Sequence, residues 1–422
     1  MTKARTVVIG AGPAGIGAAL ALGRDALVLE RATGPGGLCA SVSLDGAVFD
    51  LGGHSFHTPH AEVRELVYGA LPMEECRRDA WCHVAGEWIA YPFQQHFGDL
   101  ADTTVADECR EGMLHAGDAQ GAANFDQFVE RRYGPGIAKH FLRPYNRKLW
   151  GEDLTRLDTS WTRARVAPLR DESAKAAPGQ RLALRDGEVV AYPAHGAFGE
   201  IFRALAERVA NIRYGEAVAS IEEGAVRMRD GERIECESIV STLPLPSLLY
   251  LVEGAPAALR ESAARLEALP LALVMVAVDG RLETRRQRVY DASRDFPGHK
   301  IVLNHNSSRW LRDRTRHGIL VEVSGAHAGN DDAMLAARVV AGLREMGLLP
   351  AGIAITASHV LRLPLGYPAP THGRAAIVDE AKAWLAARRI TTLGRFGEWD
   401  YINSDEALHR GLETGKRLGG RA

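Results

Sequence analysis

The sequence predicts an α/β chain in which a parallel strand–helix unit is interleaved with a helical insert and a mainly antiparallel second sheet. Three observations carry this. An apolar run over 6–10 leads into a glycine-rich turn, an alanine-rich stretch and a second apolar run ending at Glu30, the pattern of strand, turn, helix and strand. Residues 104–150 repeat apolar side chains at helical spacing, with Phe125, Phe128, Val129 and Tyr133 on one face. Residues 271–278, 300–305, 318–325 and 354–363 are apolar or alternating runs parted by turn residues, as in an antiparallel sheet.

The opening turn has a specific design. Gly10, Gly12 and Gly15 stand in G-x-G-x-x-G spacing, and Glu30 closes the next strand. The glycines allow a tight turn, room for a pyrophosphate at the backbone and close helix–strand packing, while an acid at Glu30 accepts hydrogen bonds from ribose hydroxyls. A glycine-rich crossover alone would explain the glycines but not Glu30. The expectation is therefore a Rossmann-like dinucleotide site favouring an unphosphorylated ribose. Residues 56–71 read as helical. From 211 onward the strands return, with Asp230-Gly231 as a two-residue hairpin turn, and the strand "TTLGRFG" precedes a last helix beginning near Ser404. The dinucleotide unit is thus expected over 1–90, 190–250 and 375–422, the helical insert over 91–189 and the antiparallel substrate unit over 251–374.

Composition excludes several classes. With 422 residues, 46% hydrophobic and 25% charged, the chain is globular rather than disordered or coiled-coil. Fifty-one basic against 53 acidic residues give a net charge of -2, no reason to expect nucleic acid or an anionic membrane as partner. No apolar run approaches the roughly 20 residues of a membrane span. Five scattered cysteines in no zinc-like pairing suggest reduced thiols, no structural metal and a cytoplasmic location.

Two further glycine turns, "GPGGLC" with Gly36 and Gly37 and "LGGHSF" with Gly52 and Gly53, make three within 54 residues. That set resembles the FAD-binding superfamily of amine oxidases, protoporphyrinogen oxidases and UDP-galactopyranose mutases. Within it, "GGHSF", "YPFQ" at 91–94, "FLRPYNRKLW" at 141–150, "RVAP" at 165–168, "YPAHGAFGEI" from 192, "GYPAPT" from 366 and "GRFGEWDY" from 394 look like the UDP-galactopyranose mutases, the eukaryotic-type branch in particular, in that family's order. The resemblance implies a flavin-dependent isomerase that interconverts pyranose and furanose forms of a nucleotide sugar. Reduced flavin N5 is then the nucleophile on the anomeric carbon, with no net redox change and NAD(P)H a candidate external reductant.

The resemblance also implies roles. Arg165 and Lys300 would form the cationic clamp on the diphosphate, with Tyr290, Tyr367 and Tyr401 as neutral donors. Tyr91 and Phe141 would sandwich the base, Gln94 would read its edge, and Asn146 and Trp150 would line the same wall, Trp150 equally well as packing. His54 would lie against the flavin and tune it, or serve as a core histidine. Arg395 would stand on the flavin side, and Asp405 would meet the ribityl chain or simply cap its helix. His57 and His195 gain no role. Lys300 stands where the family has arginine, and "SFHTPH" replaces a bulkier apolar segment, so the partner is a UDP- or dTDP-sugar of open identity. The rival reading is an amine oxidase or desaturase, whose pocket would be apolar or amine-lined. The oligomeric state is not legible.

Overall fold

The computed structural model describes residues 2–169 and 187–420. Its first sheet grows from the opening strand, Thr2–Ile9, which pairs in parallel with Ala26–Glu30 on one side and Arg233–Ser241 on the other. Ile212–Tyr214 extends the Ala26–Glu30 edge, and Ile390–Thr392 lies parallel beside the end of Arg233–Ser241. Segments far apart in sequence thus build one sheet. Val7, Val8 and Val28 are fully buried between its two covered faces, the burial of a doubly covered parallel sheet.

One face is covered by the helix Pro13–Leu22, which packs on the last described helix, Ser404–Gly419. A Cβ on Gly411 would stand 2.2 Å from the Ala14 carbonyl oxygen, and one on Gly415 would stand 2.5 Å from that of Ala18. Side chains there would push the helices apart, so glycine sets the spacing.

The second sheet runs Ile355–Pro368, Ala268–Asp279, Arg316–Val323, Lys300–Val302, Arg288–Asp291, Ala80–Val84, Glu87–Ala90. All its pairings are antiparallel except Arg288–Asp291 with Ala80–Val84. Residues 80–90, expected with the dinucleotide unit, therefore belong to this sheet. The parallel pairing that recruits them joins positions about two hundred residues apart, which no local pattern announces. The hairpin at Asp230-Gly231 also differs from expectation. Pairing stops at Arg227 and Arg233, and the Met228 N–H reaches the Glu232 carbonyl across a wider turn. The helix in 56–71 is limited to Ala61–Tyr68.

The helices Thr103–Met113, Phe125–Ile137 and Arg143–Trp150 form the insert, the first two capped by the side chains of Asp102 and Asn124. Phe93, Phe125, Phe141 and Trp150 pack from this side against Leu273, Met275 and Leu320 on one face of the second sheet. The helix Asp332–Glu345 covers the opposite face through Leu335, Val339 and Leu343 against Val274, Val276 and Val321. Each such buried side chain contributes roughly 1.5–3 kcal/mol. The sheet is held rigid from both sides, and the face toward the insert carries the polar residues described next.

Candidate active site

At the end of the first strand Gly10 takes φ +100°, and its N–H donates to the Leu29 carbonyl at 2.8 Å. A Cβ on Gly15 would lie 1.9 Å from the Gly10 carbonyl oxygen, whereas one on Gly12 would meet nothing within 4 Å. The close helix start and the open space before it are thus separate tasks of separate glycines. No side chain caps the N-terminus of Pro13–Leu22, so its first N–H groups and the positive end of the helix face that space. The Glu30 carboxylate accepts the N–H of Ala11 at 2.7 Å and that of Ala32 at 2.8 Å. Each oxygen keeps a second lone pair for a hydroxyl.

The second turn lies on the first. Gly36 donates to the Ala11 carbonyl at 2.8 Å, and a Cβ on Gly37 would be 3.5 Å from the Gly12 Cα. In the third turn Gly52 has φ +141°, and the following His54 ring stacks on Phe198 at 4.8 Å. Burial, then the Lys300 charge, push the His54 pKa down to about 3, so the ring is neutral. Its Nδ1 is buried without a partner. Arg395 donates twice to the Ile402 carbonyl, at 2.8 and 3.0 Å. Asp405 is 3% exposed in the first turn of the last helix; the cap position belongs to Asn403, which corrects the N-cap reading. An anion-ready helix end, an acid for a ribose and a buried orphan nitrogen together fit a dinucleotide cofactor with a ring system near His54.

On the second sheet, register creates a row. Tyr290 pairs with Lys300, and Lys300 pairs with Glu322 on the next strand. Directly opposed residues share a face, so three polar side chains line up beneath the His54 turn. Lys300 Nζ donates to Glu322 Oε1 at 2.9 Å, the Gly53 N–H to the same oxygen at 2.7 Å, and Tyr367 Oη to Oε2 at 2.6 Å, while His299 Nε2 stands 3.5 Å away. Burial alone would raise the Glu322 pKa, but the Lys300 charge and the bonds from His299 and Tyr367 outweigh it and hold the carboxyl well below the usual range. Tyr367 in turn meets Tyr401 at 5.2 Å, and the Arg395 guanidinium lies 5.6 Å from the Tyr401 ring.

Several expected residues are differently engaged. The Arg165 guanidinium lies 4.0 Å over the Tyr401 ring and donates to the Tyr401 carbonyl and to Asn403 Oδ1, so it joins the Arg395–Tyr401 corner. Lys300 joins the Glu322 corner instead, and the two expected clamp arms are linked through Tyr401, Tyr367 and Glu322. The base sandwich is not formed as expected. Phe141 is 3% exposed and stacks near-parallel to both Phe93 and Tyr145, which places it inside an aromatic stack, while Tyr91 meets Tyr290 at 4.6 Å. The amides of Gln94 and Asn146 are turned to the carbonyls of Ala167 and Leu142. Trp150 is fully buried, edge-on to Tyr367 and Tyr401, with its indole N–H unpartnered.

Three residues escaped sequence reasoning. Glu322 sits in "GILVEVSG", where alternation alone marks it only as one polar strand position. Arg78, 7% exposed, donates from Nη2 to Tyr290 Oη at 2.6 Å and lies 5.0 Å from the Tyr91 ring. Arg288, 3% exposed, donates to the carbonyls of Gln287 and His54 and to Ser55 Oγ. The signal available for the arginines was strand parity, which could be used only after the distant pairing was known.

Comparison with known proteins decides the family. The description "flavin containing amine oxidoreductase" matches residues 13–367. The chain belongs to this family of flavin enzymes. Among solved structures, a reduced UDP-galactopyranose mutase is 24% identical, with a TM-score of 0.90 over 100% of this chain and 95% of that one. Cyclohexylamine oxidase from Brevibacterium oxydans is 16% identical, with a TM-score of 0.70 over 99% of each chain. Putrescine oxidase bound to putrescine is 14% identical, with a TM-score of 0.68 over 99% of each chain. At these identities the likeness speaks to the fold, which is that of the flavin-containing amine oxidoreductases, with the mixed sheets and helices described above. Among the described residues no helix is long and apolar enough to cross a membrane.

Proposed function

We propose that the protein is an FAD-dependent mutase that interconverts the pyranose and furanose forms of a nucleotide sugar. The observation that carries this reading is the charge of the site. Arg78, Arg165, Arg288, Lys300 and Arg395 stand with the phenols Tyr290, Tyr367 and Tyr401 around the His54 turn, against the carboxylates Asp50, Glu322 and Asp405. Such a wall suits an anionic diphosphate, and it opposes the ammonium group an amine oxidase must admit. The fold likeness to a UDP-galactopyranose mutase points the same way.

The turns at Gly10, Gly36 and Gly52 hold FAD in this reading, with Glu30 on its ribose, Arg395 and Asp405 along its length and neutral His54 against its ring. The reduced flavin supplies the nucleophile for the anomeric carbon. What the protein adds is positioning and charge stabilisation. The hydroxyls of Tyr290 and Tyr401 would donate to the departing diphosphate without burying further charge, while that of Tyr367 donates to Glu322, and Arg165 at the Tyr401 corner anchors the loop that carries one of them. The insert and the Trp150–Tyr367–Tyr401 cluster exclude water from the reacting centre.

The test is incubation of the dithionite-reduced protein with UDP- and dTDP-hexoses, separating pyranose from furanose forms. Interconversion without stoichiometric use of reductant is expected. Inactivity on the sugars, together with hydrogen peroxide formed one-to-one with product on an amine panel, would establish the oxidase instead.

A further inference from the structure

We propose that Lys148 and Asp291 are positioning residues for the diphosphate: the buried bond between them fixes the helix Arg143–Trp150 against the second sheet and so sets the places of the Tyr290 and Tyr401 phenols. The inference rests on the nucleotide-sugar reading above and adds two residues that act through others.

The bond is closed on all sides. Lys148 Nζ donates to Asp291 Oδ1 at 2.5 Å and to the Asp291 carbonyl at 3.2 Å, with the lysine side chain 9% exposed and the carboxylate fully buried. The same carboxylate meets His83 Nδ1 at 2.7 Å and accepts the Ser293 hydroxyl at 2.6 Å and the Ser293 N–H at 3.1 Å. The Asp291 N–H goes to the His299 carbonyl at 3.1 Å, and the Phe296 ring lies 5.5 Å from the ammonium. Side chain and backbone of the residue next to Tyr290 are thus all engaged.

The helix carries the consequence to the site. Tyr145 and Lys148 are three apart and share a helix face. The Tyr145 ring stands edge-on to Tyr290 at 5.8 Å, and Trp150, at the end of the same helix, stands edge-on to Tyr401 at 5.7 Å and to Tyr367 at 6.2 Å. Neighbours along a strand point to opposite faces, so a helix that meets Tyr290 with one side chain and Asp291 with another holds the strand end from two sides. Ser324 Oγ adds a bond to the Leu149 carbonyl at 2.9 Å.

Energy argues for placement rather than stability. Burial holds the Lys148 pKa below the ordinary lysine value although the Asp291 charge pulls it up, so the pair is costly to bury. Apolar residues of the same size would hold the helix as firmly, but their contacts have no direction. An ammonium shared between a carboxylate oxygen and a backbone carbonyl has one position.

The test is the double variant Lys148→Met/Asp291→Asn, loaded with flavin. Methionine fills the volume of the lysine stem and asparagine keeps an oxygen for His83 or Ser293, so both charges go and neither is left bare. Flavin content is expected to be unchanged and the melting temperature to stay within about 3 °C of wild type. Equilibrium binding of UDP is expected to weaken about 5–20-fold, the scale of one or two misplaced hydrogen bonds, and that of uridine, which lacks the diphosphate, by less than about twofold. If the double variant does not fold, Lys148→Arg carries the test, since it keeps the charge but changes the shape and length of the donor, and a loss confined to UDP is again expected. A folded variant with wild-type UDP affinity, or with equal losses for UDP and uridine, overturns the proposal. A wild-type protein that binds neither ligand overturns the nucleotide-sugar reading itself, a distinguishable result.

Discussion

Lys300 and Glu322 face each other across adjacent antiparallel strands, with the ammonium 2.9 Å from a carboxylate that is 1% exposed. Removing one partner of a buried pair leaves the other charge uncompensated, which costs about 3–5 kcal/mol. Lys300→Ala should therefore lower stability in urea unfolding by roughly 3 kcal/mol, since the Gly53 and Tyr367 bonds to Glu322 remain. Adding Glu322→Gln should restore most of it. Equal stability of Lys300→Ala and wild type would mean that the pair is not formed in solution.

Gly12 and Gly15 should fail differently. A Cβ at Gly15 collides with the Gly10 backbone, so Gly15→Val should prevent folding of the opening unit. A Cβ at Gly12 meets no protein atom, so Gly12→Val should fold, but it fills the space proposed for phosphate and should strip the flavin. Circular dichroism and flavin absorbance separate the two outcomes; a Gly12 variant with full flavin content would contradict the assigned cradle.

Arg165→Ala should lower turnover in the proposed mutase reaction by roughly 100–1000-fold, the scale for losing one positioned donor to a leaving group, here the Tyr401 hydroxyl, with flavin content unchanged. Its guanidinium holds the Tyr401–Asn403 segment, so Arg165→Lys should recover only a small part of the activity. Full activity of the alanine variant would remove Arg165 from the reaction.

Acid should weaken the fold through its buried histidines. His54 and His305 are buried, and burial pushes each pKa down to about 3. In the unfolded chain they take up protons near pH 6.5, so from there down to about pH 3 the unfolded state binds more protons and stability falls with pH. Each contributes a slope of about 1.4 kcal/mol per pH unit. Glu322, held below the usual range, adds loss at lower pH, while Asp50, raised by burial, opposes it. Unfolding free energies measured between pH 7 and 5 should fall less steeply in His305→Gln, and an unchanged slope would contradict the buried neutral ring.

Of the five cysteines, Cys76 alone should react with a thiol reagent in the native protein at pH 8. Burial pushes Cys39 and Cys109 up to about 12, Cys236 up to about 11 and Cys82 higher still, whereas Cys76 is half-buried. Mass spectrometry of labelled protein checks this, and labelling of all five should need denaturant.

What the sequence shows and hides follows from chain distance. The opening turn was legible because Gly10, Gly12, Gly15 and Glu30 act within one strand–helix–strand unit, where spacing and geometry are nearly the same thing. The helical insert was legible from its periodicity. Arg78 and Tyr290, by contrast, meet through a parallel pairing across the whole middle of the chain, and "CRRDAW" reads locally as a solvated loop. Phe141 was assigned to a base from its motif, but the side chains around a residue, here Phe93 and Tyr145, are invisible to a motif.

The glycine contacts between Pro13–Leu22 and Ser404–Gly419 also bear on biosynthesis. The helix Pro13–Leu22 leaves the ribosome before its packing partner, which follows about 380 residues later. At about 5–20 residues per second that interval is roughly 20–80 s. Throughout it, the nascent protein carries an apolar helix face with nothing against it. The interface behind the first glycine turn is therefore completed only after the intervening sheets and helical insert have been made.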